Sequence, residues 1–369
     1  MSGDGSLRKC PIAMKRVTQE SFAAVSAAVT TPRRRATGLA LLAGVLLLAV
    51  VAGLAVGAKS LSPAEIWHAV SCPDGVPFTC PADGQADRIV RELRLPRTVL
   101  ALLTGAALGI AGALIQGYTR NPLADAGLLG LNAGAAFLAA LGIHLFALTQ
   151  PSQYIWFAFA GALVAGVVVF GAAATGGSRS TPLTLVLAGA AVTALLQALT
   201  NAVILLDPAA LDTYRFWVVG TPAGHEPAVA AQVAPFILAG AVLAILAAPG
   251  LNAIGLGEDV ARGLGVNIAR NRAIGLTAVV LLTGAATAAV GPIAFLGLVV
   301  PHLGRMITGP DHRWLIPYSA LLGAIVLLLA DVVGRVIAPP GELQAGIVLA
   351  AIGAPCFIAL VRRRKVAEL

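Results

Sequence analysis

The run from Leu95 to Gln116 constrains this chain most: 22 residues, of which only Arg97, at the edge, is charged. At ~1.5 Å rise per residue such a helix crosses a hydrocarbon core of ~30 Å. Comparable apolar runs lie near 39–58, 127–148, 154–174, 183–206, 228–248, 273–293, 294–307, 315–337 and 343–361, which makes ten in all. With 58% hydrophobic and 11% charged residues in 369, the apolar content exceeds what a soluble core buries. The expected fold class is an all-α polytopic membrane protein of about ten transmembrane helices. The eighth run is short and interrupted by Pro301 and His302, which predicts a broken or half-length helix inside the bundle.

Ten spans put both termini on one side. Placing them in the cytoplasm puts 18 of the 25 Lys and Arg residues in cytoplasmic segments, so the positive-inside rule favours that orientation. The +8 net charge follows from this bias and from anionic headgroups. No basic patch interleaved with aromatics points to nucleic acid. Residues 1–38 are polar and basic and read as a disordered cytoplasmic tail, 39–361 as the transmembrane domain, and 362–369 as a basic cytoplasmic tail. Within the domain, 59–93 forms an extracytoplasmic loop and 249–272 the longest cytoplasmic one. The first apolar run is too long for a signal peptide and leads into Lys59-Ser-Leu-Ser-Pro instead of a cleavage site, so it reads as an uncleaved helix.

Several chemistries are disfavoured. The segment Gly53 to Ser60 only superficially suggests a phosphate loop: Ala58 separates Gly57 from Lys59, and the stretch ends a membrane helix. His144, His225, His302 and His312 lack ligand spacing, and no Ser-His-Asp or paired-carboxylate set shares one face. Neither an enzyme nor a bound cofactor or metal is expected. An ion-coupled secondary transporter, the alternative from a different class, needs carboxylates near the midplane and paired broken helices. Here Asp331 has Arg335 four residues on, in reach of an intrahelical ion pair, and Asp125 sits at a turn. Arg94 and Arg97 flank Pro96 at an expected helix start, where the helix dipole disfavours cations and calls for acidic compensation. Cys72 and Cys80 lie in the external loop, where an oxidising exterior favours a disulfide over two free thiols.

Five blocks in order carry a more specific signal. They are Arg94 to Gly134, which contains the turn Asn121-Pro122-Leu123; Leu256 to Val266, LGEDVARGLGV; Gly291 to Arg305, GPIAFLGLVVPHLGR; GPDHRWLIP with LLLADVVGR; and GAPCFIAL. Together they resemble the FecCD family of ABC importer permeases, from about Leu39 to Arg364. The resemblance implies a type II ABC importer permease fold in a bacterial inner membrane, with ATP hydrolysis on a separate chain. Implied partners are an ABC ATPase dimer, an extracytoplasmic substrate-binding protein or lipoprotein, and a second permease copy or a paralogous permease. The implied cargo is an iron-siderophore complex, with haem or vitamin B12 as the alternative.

Residue by residue, the resemblance assigns binding-protein docking to Arg94, Arg97 and Arg335, against a reading in which Asp331 and Arg335 merely neutralise each other. It assigns a cytoplasmic gate to Asn121, Leu123, Thr181 and Pro182, against a simple helix stop. It assigns ATPase coupling to Glu258, Ala261, Arg262, Gly263, Leu264 and Gly265, against an ordinary solvated loop helix. The residues themselves predict a short helix there, bracketed by Gly257 and Gly263, with an acidic start and a basic end that suit its dipole. Small-xxx-small spacings such as Gly105 to Gly109 and Gly130 to Gly134 predict close helix packing.

Overall fold

A computed structural model describes residues 32–57, 59, 61–71, 85–175, 182–338 and 341–367. Among these every regular element is helical. Helix α1 spans Pro32–Ala55, α2 Pro63–Ser71, α3 Gln85–Thr119, α4 Leu131–Phe146 and α5 Pro151–Thr175. Helix α6 spans Pro182–Leu206, α7 Pro208–Val218, α8 Pro227–Gly255 and α9 Glu258–Gly263. Then follow α10, Ile268–Val290; α11, Leu296–Thr308; α12, His312–Ile337; and α13, Ala345–Ala367. Six of them (α1, α2, α5, α6, α7 and α8) open on proline, whose missing N–H has no intrahelical partner at that position anyway.

Seven helices, α1, α3, α5, α6, α8, α10 and α12, are long and apolar enough to cross a membrane; α4 and α13 are shorter and apolar. Helix α11, at 13 residues, fills the eighth expected run. It is preceded by non-helical backbone over 291–295, in which Gly291 (φ 78°) and Phe295 (φ 65°) take left-handed conformations. A half-length helix inside the bundle is the result.

The bundle is built around α3 and α10, whose apolar windows are 78% and 72% buried, against 11% for α6. Helix α3 packs on α12, α10, α8 and α11; α10 packs on α8 and α5; α4 packs on α5 and α6. Glycine sets the closeness. A β-carbon on Gly105 would fall on the Gly323 carbonyl, on Gly109 on the Ser319 carbonyl, on Gly112 on the Gly297 carbonyl, and on Gly134 on the Gly161 carbonyl. Backbone therefore meets backbone, as in other membrane bundles.

Four boundaries depart from the sequence reading. Helix α1 begins at Pro32, seven residues before the apolar run, because its arginine-bearing first turn extends past it; Arg35 meets Asp311 at 3.6 Å. Helix α3 does not start at Leu95: it runs unbroken from Gln85 through a π turn at Ile89–Arg94. Pro96 explains the turn, since it has no N–H to donate and its ring crowds the carbonyl four residues back. Helix α8 continues through Pro235 and Pro249 to Gly255, which shortens the connection to α10 to 256–267. After α9, the left-handed turn falls at Gly265 (φ 79°), while Gly263 stays helical.

Candidate functional site

Two polar clusters stand at opposite ends of the bundle. In the first, Asp331, 1% exposed on α12, accepts from Arg97 Nε with both oxygens at 2.9 Å and meets Arg97 Nη2 at 2.8 Å. Arg335 Nη2 reaches the same carboxylate at 3.0 Å, so the expected intrahelical pair exists but is half of a triad. Arg97 Nη1 also meets the half-exposed Glu342 at 2.6 Å. Because α3 runs through, Arg94 and Arg97 lie inside the helix and not at a dipole end, and the acids that meet Arg97 are Asp331 and Glu342.

The other guanidinium groups serve α1. Arg94 donates to the carbonyls of Leu54 at 2.6 Å, Ala55 at 2.9 Å, and Lys59. Arg335 donates to those of Gly53 and Val56, both at 2.9 Å. Of these, the Gly53, Leu54 and Ala55 carbonyls lie in the last turn of α1, where intrahelical donors run out and the dipole is negative, so buried arginines fit there. Arg94, Arg97 and Arg335 all border one cavity of about 680 Å³, with Glu92, Glu226 and Glu342. A second cavity of about 550 Å³, bordered by Tyr154, Asp212 and Trp217, shares Ala223, Gly224 and His225 with the first. His225 is hydrogen bonded at Nε2 to the Thr221 carbonyl at 3.1 Å, and burial holds its pKa below the usual imidazole range.

At the other end, α3 stops where Arg120 turns left-handed (φ 49°) and donates to the Ile254 carbonyl at 2.6 Å. Asn121 Oδ1 then accepts from Leu123 N at 2.9 Å, an Asx turn that ends the helix before Pro122. Asn121 is exposed and Leu123 half-buried. The chain meets α6 further on, where a β-carbon at Gly130 would touch Gly189, Val192 and Thr193. Pro182 opens α6, while Thr181 lies outside the described residues, as do Cys72 and Cys80.

Helix α9 lies in the connection between α8 and α10. Glu258 accepts from Arg272 at 2.7 Å and from Arg262 at 3.3 Å; Arg262 also meets Asp259 at 3.0 Å. The hydrogen bond and charge of Arg272 hold the Glu258 carboxyl below its usual range. Ala261 is fully buried against the bundle, whereas Leu256 (69% exposed), Val260 (49%) and Leu264 (64%) face outward. An apolar face on a charged helix stands open to a partner.

The sequence matches the FecCD transport family over residues 45–363. The chain belongs to that family. FecCD relatives include the ferric enterobactin transport system permease FepD of Escherichia coli (strain K12), 45% identical over 343 residues, which cover 92% of this chain and 97% of that protein. The Fe(3+)-citrate import system permease YfmD of Bacillus subtilis (strain 168) is 39% identical, covering 80% of this chain and 87% of that one. Among solved structures, a metal-chelate type ABC transporter in an inward-facing conformation superposes with TM-score 0.77 and 28% identity, covering 89% of this chain and 99% of that chain. The FecCD fold anticipated from the five sequence blocks is therefore the observed one, a multi-pass membrane permease whose ATPase is a separate subunit.

Sequence reasoning missed several polar partners. Glu342, Arg272, Tyr118, Asn271 and the buried Gln116, which donates to the Gly297 carbonyl at 3.1 Å, complete the clusters from distant segments. The signal available for Gln116 was simply a polar residue closing an apolar run, one turn before the helix ends.

Proposed function

We propose that this chain is the membrane permease of an ABC importer that carries ferric siderophore complexes inward. The observation that supports this most is the 45% identity, over nearly the whole of both chains, to a ferric enterobactin permease. Termini on the cytoplasmic side, as the Lys and Arg distribution favours, put α9 inside and the Arg97–Asp331–Glu342 cluster outside. Helix α9 then docks an ATPase subunit through Leu256, Val260 and Leu264, with Glu258 and Arg262 fixing its orientation. The Asn121–Leu123 turn, with Thr181 and the Pro182 start of α6, acts as the inner gate.

A substrate-binding protein docks over the outer cavity. There Arg97, the most exposed of the three arginines, with Lys59 attracts acidic side chains, and the buried Arg94 and Arg335 hold the surface in place. Helix α6, only 11% buried within one chain, suits a second permease copy lining a shared path. Haem or cobalamin remains a second reading of the cargo. The ion-coupled alternative has little support, because Asp331 is saturated by two guanidinium groups.

Uptake of radioiron as ferric enterobactin, in a deletion strain with and without this chain restored, tests the proposal. Restored uptake that disappears when the cognate ATPase is inactivated supports it. Uptake that survives ATPase inactivation refutes it, and restoration by haem or cobalamin alone refutes the cargo.

A further inference from the structure

We propose that Tyr118 and Asn271 form a positioning pair that transmits displacement of α9 to the Asn121–Leu123 turn. The inference rests on the reading of α9 and of that turn given under Proposed function. Tyr118 lies three residues before Asn121. Its hydroxyl shares its one proton between the backbone carbonyl and Oδ1 of Asn271, each at 2.9 Å, and Asn271 Nδ2 donates to the Ala247 carbonyl at 3.0 Å. Both side chains are buried. Helices α3, α8 and α10 thus meet at one polar knot, in surroundings where such groups hold a defined geometry.

Two absent side chains make the seat. A β-carbon on Gly275 of α10 would fall on the Tyr118 ring, and one on Gly250 of α8 would fall on the Asn271 carboxamide. The two helices tied here are the two that flank α9: α8 ends at Gly255 and α10 begins at Ile268. Straps on either side complete the frame, from Arg120 to the Ile254 carbonyl at 2.6 Å and from Arg272 to Glu258 at 2.7 Å. A push on α9 shifts the end of α8 and the start of α10. With the knot intact the last turn of α3 follows, carrying the adjacent Asn121. Without it, that turn slides against α10 and the displacement is absorbed.

Tyr118→Phe keeps the ring in its seat and removes the shared hydrogen bond. In the full chain in lipid nanodiscs, amide exchange over 119–127 and 254–268 should rise together by about tenfold, equivalent to ~1.4 kcal/mol. Unchanged exchange, or a rise in one segment alone, overturns the inference. This arm needs neither ATPase nor cargo, so it decides even if the proposed function fails. In proteoliposomes holding permease, ATPase and binding protein loaded with ferric enterobactin, iron moved per ATP should fall at least about fivefold while ATP hydrolysis and assembly persist. Asn271→Ala should match this, and the double variant should be no worse than the worse single. Assembly, hydrolysis and transport falling in proportion would mark a merely structural role and overturn the proposal. Wild-type vesicles that move no iron would refute the cargo reading, leaving the exchange result to judge the knot.

Discussion

Replacing Asp331 by asparagine should be among the most damaging single changes at its end of the bundle, and the geometry sets its size. The carboxylate is 1% exposed and receives three short contacts from Arg97 and one from Arg335. Asparagine leaves two buried guanidinium groups without their shared anion and points N–H at N–H. Removing one member of a buried ion pair costs roughly 3–5 kcal/mol. Glu342 offers the control: it meets Arg97 once, and its side chain is 40% exposed, so Glu342→Gln should cost about 0–1 kcal/mol. Asp331→Leu combined with Arg97→Met should be milder than Asp331→Leu alone, because Arg335 keeps its Gly53 and Val56 carbonyls. Denaturant titration in detergent micelles, followed by tryptophan fluorescence, ranks the variants. An Asp331→Asn midpoint indistinguishable from that of Glu342→Gln would refute the assignment of the triad as the anchor of this end.

Three further outcomes follow from the same geometry. His225 has its pKa depressed by burial, so its contribution is complete above about 6.5 and is lost as pH falls through that value towards the depressed one; His225→Gln should flatten the stability profile between about pH 7 and 5, as read by thermal unfolding. Changing Leu256, Val260 and Leu264 together to serine should abolish co-purification of the ATPase with little change in the permease's own melting, since all three are exposed; retained co-purification would count against docking through α9. Gly112→Ala must displace the Gly297 carbonyl and should cost about 1–3 kcal/mol, whereas Gly171→Ala, with nothing within 4 Å, should be neutral or stabilising by about 0.5–1 kcal/mol, both read by thermal shift.

The ten apolar helices were legible because lipid requires length and apolarity, and both are written locally. The eighth helix is half-length, as its short run implied, but Pro301 and His302 lie inside it, and the irregular backbone precedes it over 291–295. The boundaries were less legible at proline: Pro249 and Pro96 both sit inside helices, the first because α8 absorbs it, the second because a π turn does. At the Asp331 cluster, the i,i+4 spacing of Asp331 and Arg335 was readable, but Arg97 reaches Asp331 across 234 positions and Glu342 across 245, and no local pattern encodes that. The Tyr118–Asn271 knot was hidden for the same reason. A lone tyrosine near a helix end and an asparagine near a helix start are unremarkable until packing brings them together.

The glycine-to-carbonyl contacts that join α3 to α11 and α12 have a thermodynamic consequence. Glycine has no rotamers to lose, so bringing these helices together freezes no side-chain freedom at the contact, and in lipid the attraction left is dispersion between backbones. Such a seam has little entropy to release on separation, and warming should loosen it less than the leucine- and valine-rich faces of α5 and α6. Heat-driven opening of this protein should therefore begin at those outer helices and reach the α3 seam last.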